Sequence, residues 1–478
     1  MSSLLLLARD EWRYWSRSTL ATWAAGIFAL LLISTAIVTF VRIEQANHIR
    51  QHHQQEAENV FLSQPDRHPH RMVHYGHYAF RTPSPLSVFD PGLDAVTGQS
   101  IFLEGHRQNS AMFAEDGASA NLGGFAQLSP ALVYQLFGPL LIVLLGHAAV
   151  ARERESATLA TILAQGTTGL QLMSGKAVAM LSVIIIMLVP MAITLVFAVV
   201  HGASFAAASA LMGIYLIYLM LWALGTLAVS AVLPSTATVL ATLTALWLVL
   251  TLLLPSMAVT NTARVLPIPG KLETDLLMLE DLRQLGDGHN AQDPAFARLR
   301  AELLEEYGVA SVEALPVNLR GIVAQYSEKQ LTDTLNAYAE QRMMQELEQA
   351  NLLTQHGWLT PVLALAAASR SISASDLANY HRFLRESEAL RFEFVQRLNE
   401  VHTTELSYSD DINRSSDAQA EQRTRVTSEH WDVLESFEFV PDGFSVRLGH
   451  ATSSVLALAC WLLVMFGVTI LAGKRLSV

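Results

Sequence analysis

The sequence predicts an all-α integral membrane protein with six transmembrane helices and a large, mainly helical extracytoplasmic domain. Three observations predict it. Only 15% of the 478 residues are charged and the mean hydropathy is +0.31, where a soluble domain carries about a quarter charged residues. The missing charge is localised: no Asp, Glu, Lys or Arg occurs at 18–41, 117–151, 177–263 or 448–473. A spanning helix needs about 20 apolar residues, so the longest run holds three spans and the others one each. A cytosolic enzyme and a disordered chain are thereby excluded. A net charge of −12 and a pI near 5.7 leave no basic footprint for nucleic acid.

The first element, 1–18, alternates Leu4, Leu5, Leu7, Trp12 and Trp15 with Arg9, Arg13 and Arg17. An amphipathic helix lying at the membrane interface is expected there. The first span, at 19–41, is twice the length of a signal-peptide core and lacks a small-residue cleavage site, so it reads as uncleaved. A hydrophilic segment at 42–127, rich in Pro, Gly and His, reads as irregular or strand-like. The second span follows at 128–151 and a short polar loop at 152–176. Spans three, four and five fill 177–200, 204–233 and 235–259. Pro190 and Pro255 are tolerable within them because neighbouring helices satisfy the freed backbone groups.

A second hydrophilic block at 260–447 is long enough to be a domain. Helices are expected near 318–353, 375–402 and 423–437. Inside it, 358–368 (WLTPVLALAAA) is too short to span; it reads as a buried core helix, with a re-entrant or interfacial segment as the alternative. The sixth span, 448–473, precedes a tail at 474–478.

Orientation follows from the short loops. The two termini and 152–176 hold eight basic and four acidic residues, leaving 23 basic and 39 acidic in the two large blocks. The termini are therefore expected in the cytoplasm and the acidic blocks outside. One cysteine, Cys460, rules out an intrachain disulfide and a metal–thiolate cluster.

The chemistry begins with absences. No GxxxxGK[ST] phosphate loop occurs; 169–177 (GLQLMSGKA) has the wrong glycine spacing and Ala177 in place of the hydroxyl. No HExxH or GxSxG occurs, so no catalytic residue is assigned. Uncharged spans carry no ion relay. Such a chain draws its energy from a partner, and the loop at 152–176 suits that contact. Arg152, Glu153, Arg154 and Glu155 form an alternating collar, followed by the one-faced apolar residues Leu159, Ile162 and Leu163. An ordinary loop with snorkelling charges is the competing reading.

The stretch VYQLFGPLLIVLLGHAAVARERESATLATILAQGTTGLQLMSGKAVA resembles the coupling region of ATP-binding-cassette (ABC) transporter permeases of the type-2 exporter class. Glu153, Arg154, Glu155, Thr158, Leu159, Gly175 and Lys176 match that pattern. Arg152 and Ala157 depart from it, each standing where the pattern prefers Gly. The string at 74–109 and the run at 381–399 (HRFLRESEALRFEFVQRLN) are similar to outer segments of one permease subfamily, which carries a large outer domain of unknown function. The resemblance implies an exporter subunit in a bacterial inner membrane, dimeric with a second copy or a related permease. It implies that ATP and Mg are held by separate ATPase subunits, with no cofactor in this chain. A non-transporting scaffold that moves a periplasmic partner is the alternative. Within the outer string, Tyr78, Phe80, Asp90, Glu104, His106 and Asn109 are candidates for structural or partner contact.

Seven of the 16 histidines lie between His48 and His77. With only Asp66 nearby as a completing ligand, they read as surface residues and no metal site is assigned.

Overall fold

The computed structural model describes residues 3–112, 128–431 and 437–476. Parts of the expected 42–127 segment, of the 423–437 helix and of the tail lie outside the described residues. The helices are α1 (Ser3–Arg17), α2 (Thr19–Leu62), α3 (Pro69–Met72), α4 (Pro130–Gly146), α5 (Ala151–Glu155), α6 (Thr158–Ala164), α7 (Gly169–Val200), α8 (Phe205–Val232) and α9 (Thr236–Leu248). They continue as α10 (Leu254–Val265), α11 (Lys271–Arg283), α12 (Ala297–Glu306), α13 (Leu319–Gln355), α14 (Pro361–Ser373), α15 (Leu377–Thr404), α16 (Tyr408–Asn413), α17 (Ala418–Arg423) and α18 (Phe444–Arg475). One antiparallel hairpin, β1 (His77–Phe80) with β2 (Ser100–Leu103), pairs His77 with Leu103 and Phe80 with Ser100.

Among the described residues, six helical stretches are long and apolar enough to cross a membrane. The chain is a multi-pass membrane protein of the all-α class. Each span lies where an uncharged run predicts it, but several helices overrun the membrane segment. α2 has 44 residues, about 66 Å at 1.5 Å per residue. Its second half continues through the first polar block, which was expected to be irregular. No Pro or Gly occurs at 42–62, and Phe61 is buried among Met72, Phe394 and Leu398. α9 and α10 are one continuous span joined by a π-helical turn at Val249–Leu253. That turn precedes Pro255, whose missing N–H would otherwise leave a gap in the ladder.

α1 and the C-terminal end of α18 fall at one end of the bundle, here the loop end, with the residues linking α4 to α7 and α8 to α9. The polar blocks gather at the domain end. α1 lies on α7, so closely that a Cβ on Gly175 would meet the Leu7 side chain at 2.6 Å. Gly169 similarly admits the backbone of Gly473, whose carbonyl would clash with a Cβ there.

The apolar stretch 358–368 is a buried helix, but its core is that of the spans. Val362, Ala364, Leu365, Ala368 and Ile372 of α14 share one hydrophobic cluster with α7, α8 and α18. At its domain-end limit Ile372 accepts a 2.7 Å hydrogen bond from Arg447. At its other limit Trp358 accepts from Trp461 at 3.2 Å, and Thr360 donates to Leu250. Trp461 is 14 residues beyond Arg447 on α18, about 21 Å deeper. The tip of the α13–α14 hairpin is thus level with the middle of two spans. No charged residue lies between Glu348 and Arg370, as a re-entrant hairpin at that depth requires. The re-entrant alternative describes this segment better than a core helix of the outer block.

The polar end of the chain is less regular than its sequence suggests. Where a helix near 423–437 was expected, α17 ends at Arg423 and the described residues beyond it hold a 3-10 turn at Ser428–His430.

Candidate functional site

The four collar residues were expected to face a partner. Instead each ties together ends of the chain's own helices. The second span stops at Gly146, and the break before α5 is filled by Ser230 of α8. Its hydroxyl accepts from the Val150 and Ala151 N–H groups at 3.0 and 3.2 Å and donates to His147 at 2.8 Å. This redirects α5 across the loop end.

Glu153 and Lys176 are buried, and Glu11 of α1 joins them; the Lys176 ammonium donates to both carboxylates. Arg152 reaches Glu11 at 2.6 Å and lies over the Tyr14 ring. Arg154 donates to Leu233 at 2.6 Å and to Ala231, capping the carbonyl end of α8. Glu155 accepts from the Thr236 N–H at 3.0 Å at the start of α9, where a carboxylate complements the helix dipole. Four spans and α1 therefore meet on one charged frame.

Lys176 was expected to restart a span at the membrane surface and to end the polar loop. It instead lies inside α7, which begins seven residues earlier. Thr168 and Gln171 form a capping box there, and the paired carboxylates make burial of the ammonium tolerable.

Besides Glu155 and the turns flanking it, the exposed element here is α6. Leu159 turns inward, whereas Thr158, Ala160, Thr161 and Ala164 face outward. The collar supports this short projection, and the contact surface is uncharged. Ala157, immediately before α6, has φ 58°, a left-handed conformation that disfavours a Cβ. The Gly preferred at this position by the resembling pattern has that explanation. Ala157→Gly is expected to raise stability by about 0.5–1 kcal/mol, strain relief exceeding the entropy added to the unfolded chain. The thermal midpoint of the detergent-solubilised protein measures it, and a lower midpoint would contradict the strain.

The outer candidates divide between two places. Asp90 is buried between the domain and the bundle: its carboxylate accepts from the Ser369 hydroxyl and the Gly92 N–H, and Ser369 contacts Tyr215 of α8 at 3.1 Å. Burial pushes the Asp90 carboxyl upward, opposed by Arg370. Glu104, His106 and Asn109 close the turn after β2, where Asn109 donates to Phe102 at 2.9 Å and to Glu104 at 3.2 Å. His106 meets Glu328 of α13 at 2.8 Å. Tyr78 is exposed on β1 beside Phe80, their rings 6.1 Å apart, and neither joins these networks.

Arg391, within the 381–399 run, anchors the second place. It is buried with Glu328 at 2.6 Å and Glu388 at 2.7 Å, and also donates to Thr332 and the Glu104 carbonyl. Burial alone would raise the Glu328 carboxyl, but His106 and Arg391 hold it down at about 2. A second buried carboxylate, Asp411, accepts from His402 at 2.9 Å and contacts His68 at 3.1 Å. Sequence reasoning missed Glu11, Glu328 and Asp411. Glu11 had one visible signal, a carboxylate on the apolar face of a helix otherwise carrying Trp15 and Ala8.

The histidine tract is not uniformly at the surface, as was expected. His68 and His77 are buried, because α3 and β1 pack them against α15, α16 and Phe61.

Residues 274–440 match the protein family described as "Domain of unknown function (DUF3526)". The match includes the 381–399 run, while 74–109 and the spans lie outside it. No curated protein matches the chain.

Proposed function

We propose that this chain is the transmembrane permease subunit of an ABC exporter. It would sit in a bacterial inner membrane with its termini and the α4–α7 connection in the cytoplasm. The observation that carries the reading is the loop-end frame, which joins four spans and α1 and leaves α6 as an uncharged projection. Such a projection fits a groove in an ATPase subunit, and the frame converts a push on α6 into movement of several spans together. The excess of Lys and Arg near the loop-end helix termini supports the cytoplasmic assignment.

ATP and Mg belong to the partner subunits. A second copy or a related permease would complete the assembly along the exposed apolar face of α9–α10, which carries Leu246, Leu252, Leu253 and Met257. The outer blocks would then lie outside the cytoplasm, available to a periplasmic partner. The α13–α14 hairpin favours a second reading, a non-transporting scaffold. Packed between α8 and α18 to mid-depth, it couples span movement directly to the outer domain.

Ala160→Glu combined with Ala164→Glu tests the proposed contact, since both positions are exposed and carry no fold-supporting interaction. ATP turnover by the assembled complex is expected to fall about tenfold or more through lost association, with an unchanged thermal midpoint for the isolated chain. Unchanged turnover would remove α6 from the interface.

A further inference from the structure

Four histidines from three separate parts of the chain converge at the outer edge of the domain. His70 lies in α3 and His74 in the turn that follows it, His106 follows β2, and His289 comes from the turn between α11 and α12. One ring nitrogen from each lies within 4.8 Å of the other three. The six separations between ring centroids are 4.9, 4.9, 5.2, 5.2, 5.4 and 6.0 Å. Four nearly equidistant points define a tetrahedron; a square would show two diagonals about 1.4 times its sides. With Zn–N near 2.05 Å, four imidazoles around one ion would place their centroids about 5.2 Å apart.

The surroundings select which nitrogen faces inward. Nδ1 of His106 is held by Glu328 at 2.8 Å, and its Nε2 is buried with no hydrogen-bond partner among the described residues. Nδ1 of His289 is held by Asp287 at 3.2 Å. Carboxylates on the remote nitrogen fix the tautomer and orientation of metal-binding histidines. His106 also has φ 64°, a conformation costly for a residue with a Cβ and found where the surroundings enforce it.

We propose that His70, His74, His106 and His289 form a tetrahedral binding site for a divalent transition-metal ion, Zn2+ by geometry. Four protein ligands close the coordination sphere, which suits a structural or storage site rather than a catalytic one. The ion would fasten the hairpin block to the DUF3526-matching block, since His289 lies within the matched residues. His74 and His289 are exposed, so the ion reaches the site from solvent.

The test uses the full-length protein in detergent, purified on a histidine-free tag and stripped with a chelator. Competition against a chromophoric chelator is expected to give one Zn2+ per chain. His106→Ala and His289→Ala should each weaken binding about 100-fold or more. The exposed pair His52→Ala with His53→Ala should leave it unchanged. Co2+ should give the intense visible absorption of tetrahedral coordination, lost in the His289→Ala protein. Zn2+ should raise the thermal midpoint of the wild type and not of the variants. His289 is exposed, so its variant retains the apo midpoint and reports binding alone. Binding that survives both single substitutions, a weak octahedral Co2+ spectrum, or no stoichiometric Zn2+ would overturn the site.

Discussion

Lys176→Met is expected to lower the stability of the solubilised chain by about 3–5 kcal/mol. The substitution keeps the volume but leaves Glu11 and Glu153 facing each other in a buried setting, with Arg152 alone to balance them. Removing one partner of a buried ion cluster exposes the uncompensated desolvation of the others, whereas removing all of it costs far less. Adding Glu11→Gln and Glu153→Gln to Lys176→Met should therefore recover most of the loss. Thermal unfolding in detergent measures both. Tryptic cleavage at Arg9, Arg13 and Arg17 should accelerate in the single variant, because α1 loses its tether to α7. As a comparison, Lys271→Met breaks an exposed pair with Asp275 and should cost less than about 1 kcal/mol. Equal effects at Lys176 and Lys271 would contradict the frame.

Arg391→Met has a similar expected cost, about 3–5 kcal/mol, and acts at the opposite end of the molecule. Its guanidinium lies between Glu328 and Glu388, all three buried, and also satisfies Thr332 and the Glu104 carbonyl. A Met side chain fills the space without donating to any of them. Arg385→Met is the internal comparison: Arg385 makes a two-pronged pair with Glu340 at 2.6 and 2.8 Å, but both side chains are more than two-fifths exposed. That change should cost less than about 1 kcal/mol. Denaturant unfolding of the solubilised chain, followed by the fluorescence of buried Trp431, separates the two cases.

The six spans were legible because a membrane imposes a length on uncharged sequence, and 177–263 could be divided by that length. What could not be read was the use of charge. Lys176 and Glu153 looked like loop residues because nothing local announces a partner 165 residues away, as Glu11 is from Lys176. α2 was cut at Val41 for the same reason. Polar residues ended the apolar run but did not end the helix, which waits for Ser63 and its backbone cap. The 358–368 stretch was visible as apolar and too short to cross, yet its depth is fixed by Leu250 and Trp461 on other spans. The histidine tract lacked a completing ligand locally; His289 supplies one from a loop that only folding brings near. The spacing of His70 and His74, four residues apart, was the only local sign of it.

The proposal that ATP is supplied by a partner rests on the frame and on the uncharged face of α6. Purification of the tagged full-length chain from its native membrane in mild detergent tests it most directly. An ATP-hydrolysing subunit is expected to co-purify in about equal amount and to be lost with Ala160→Glu and Ala164→Glu. Recovery of the intact chain without any nucleotide-hydrolysing protein would contradict it.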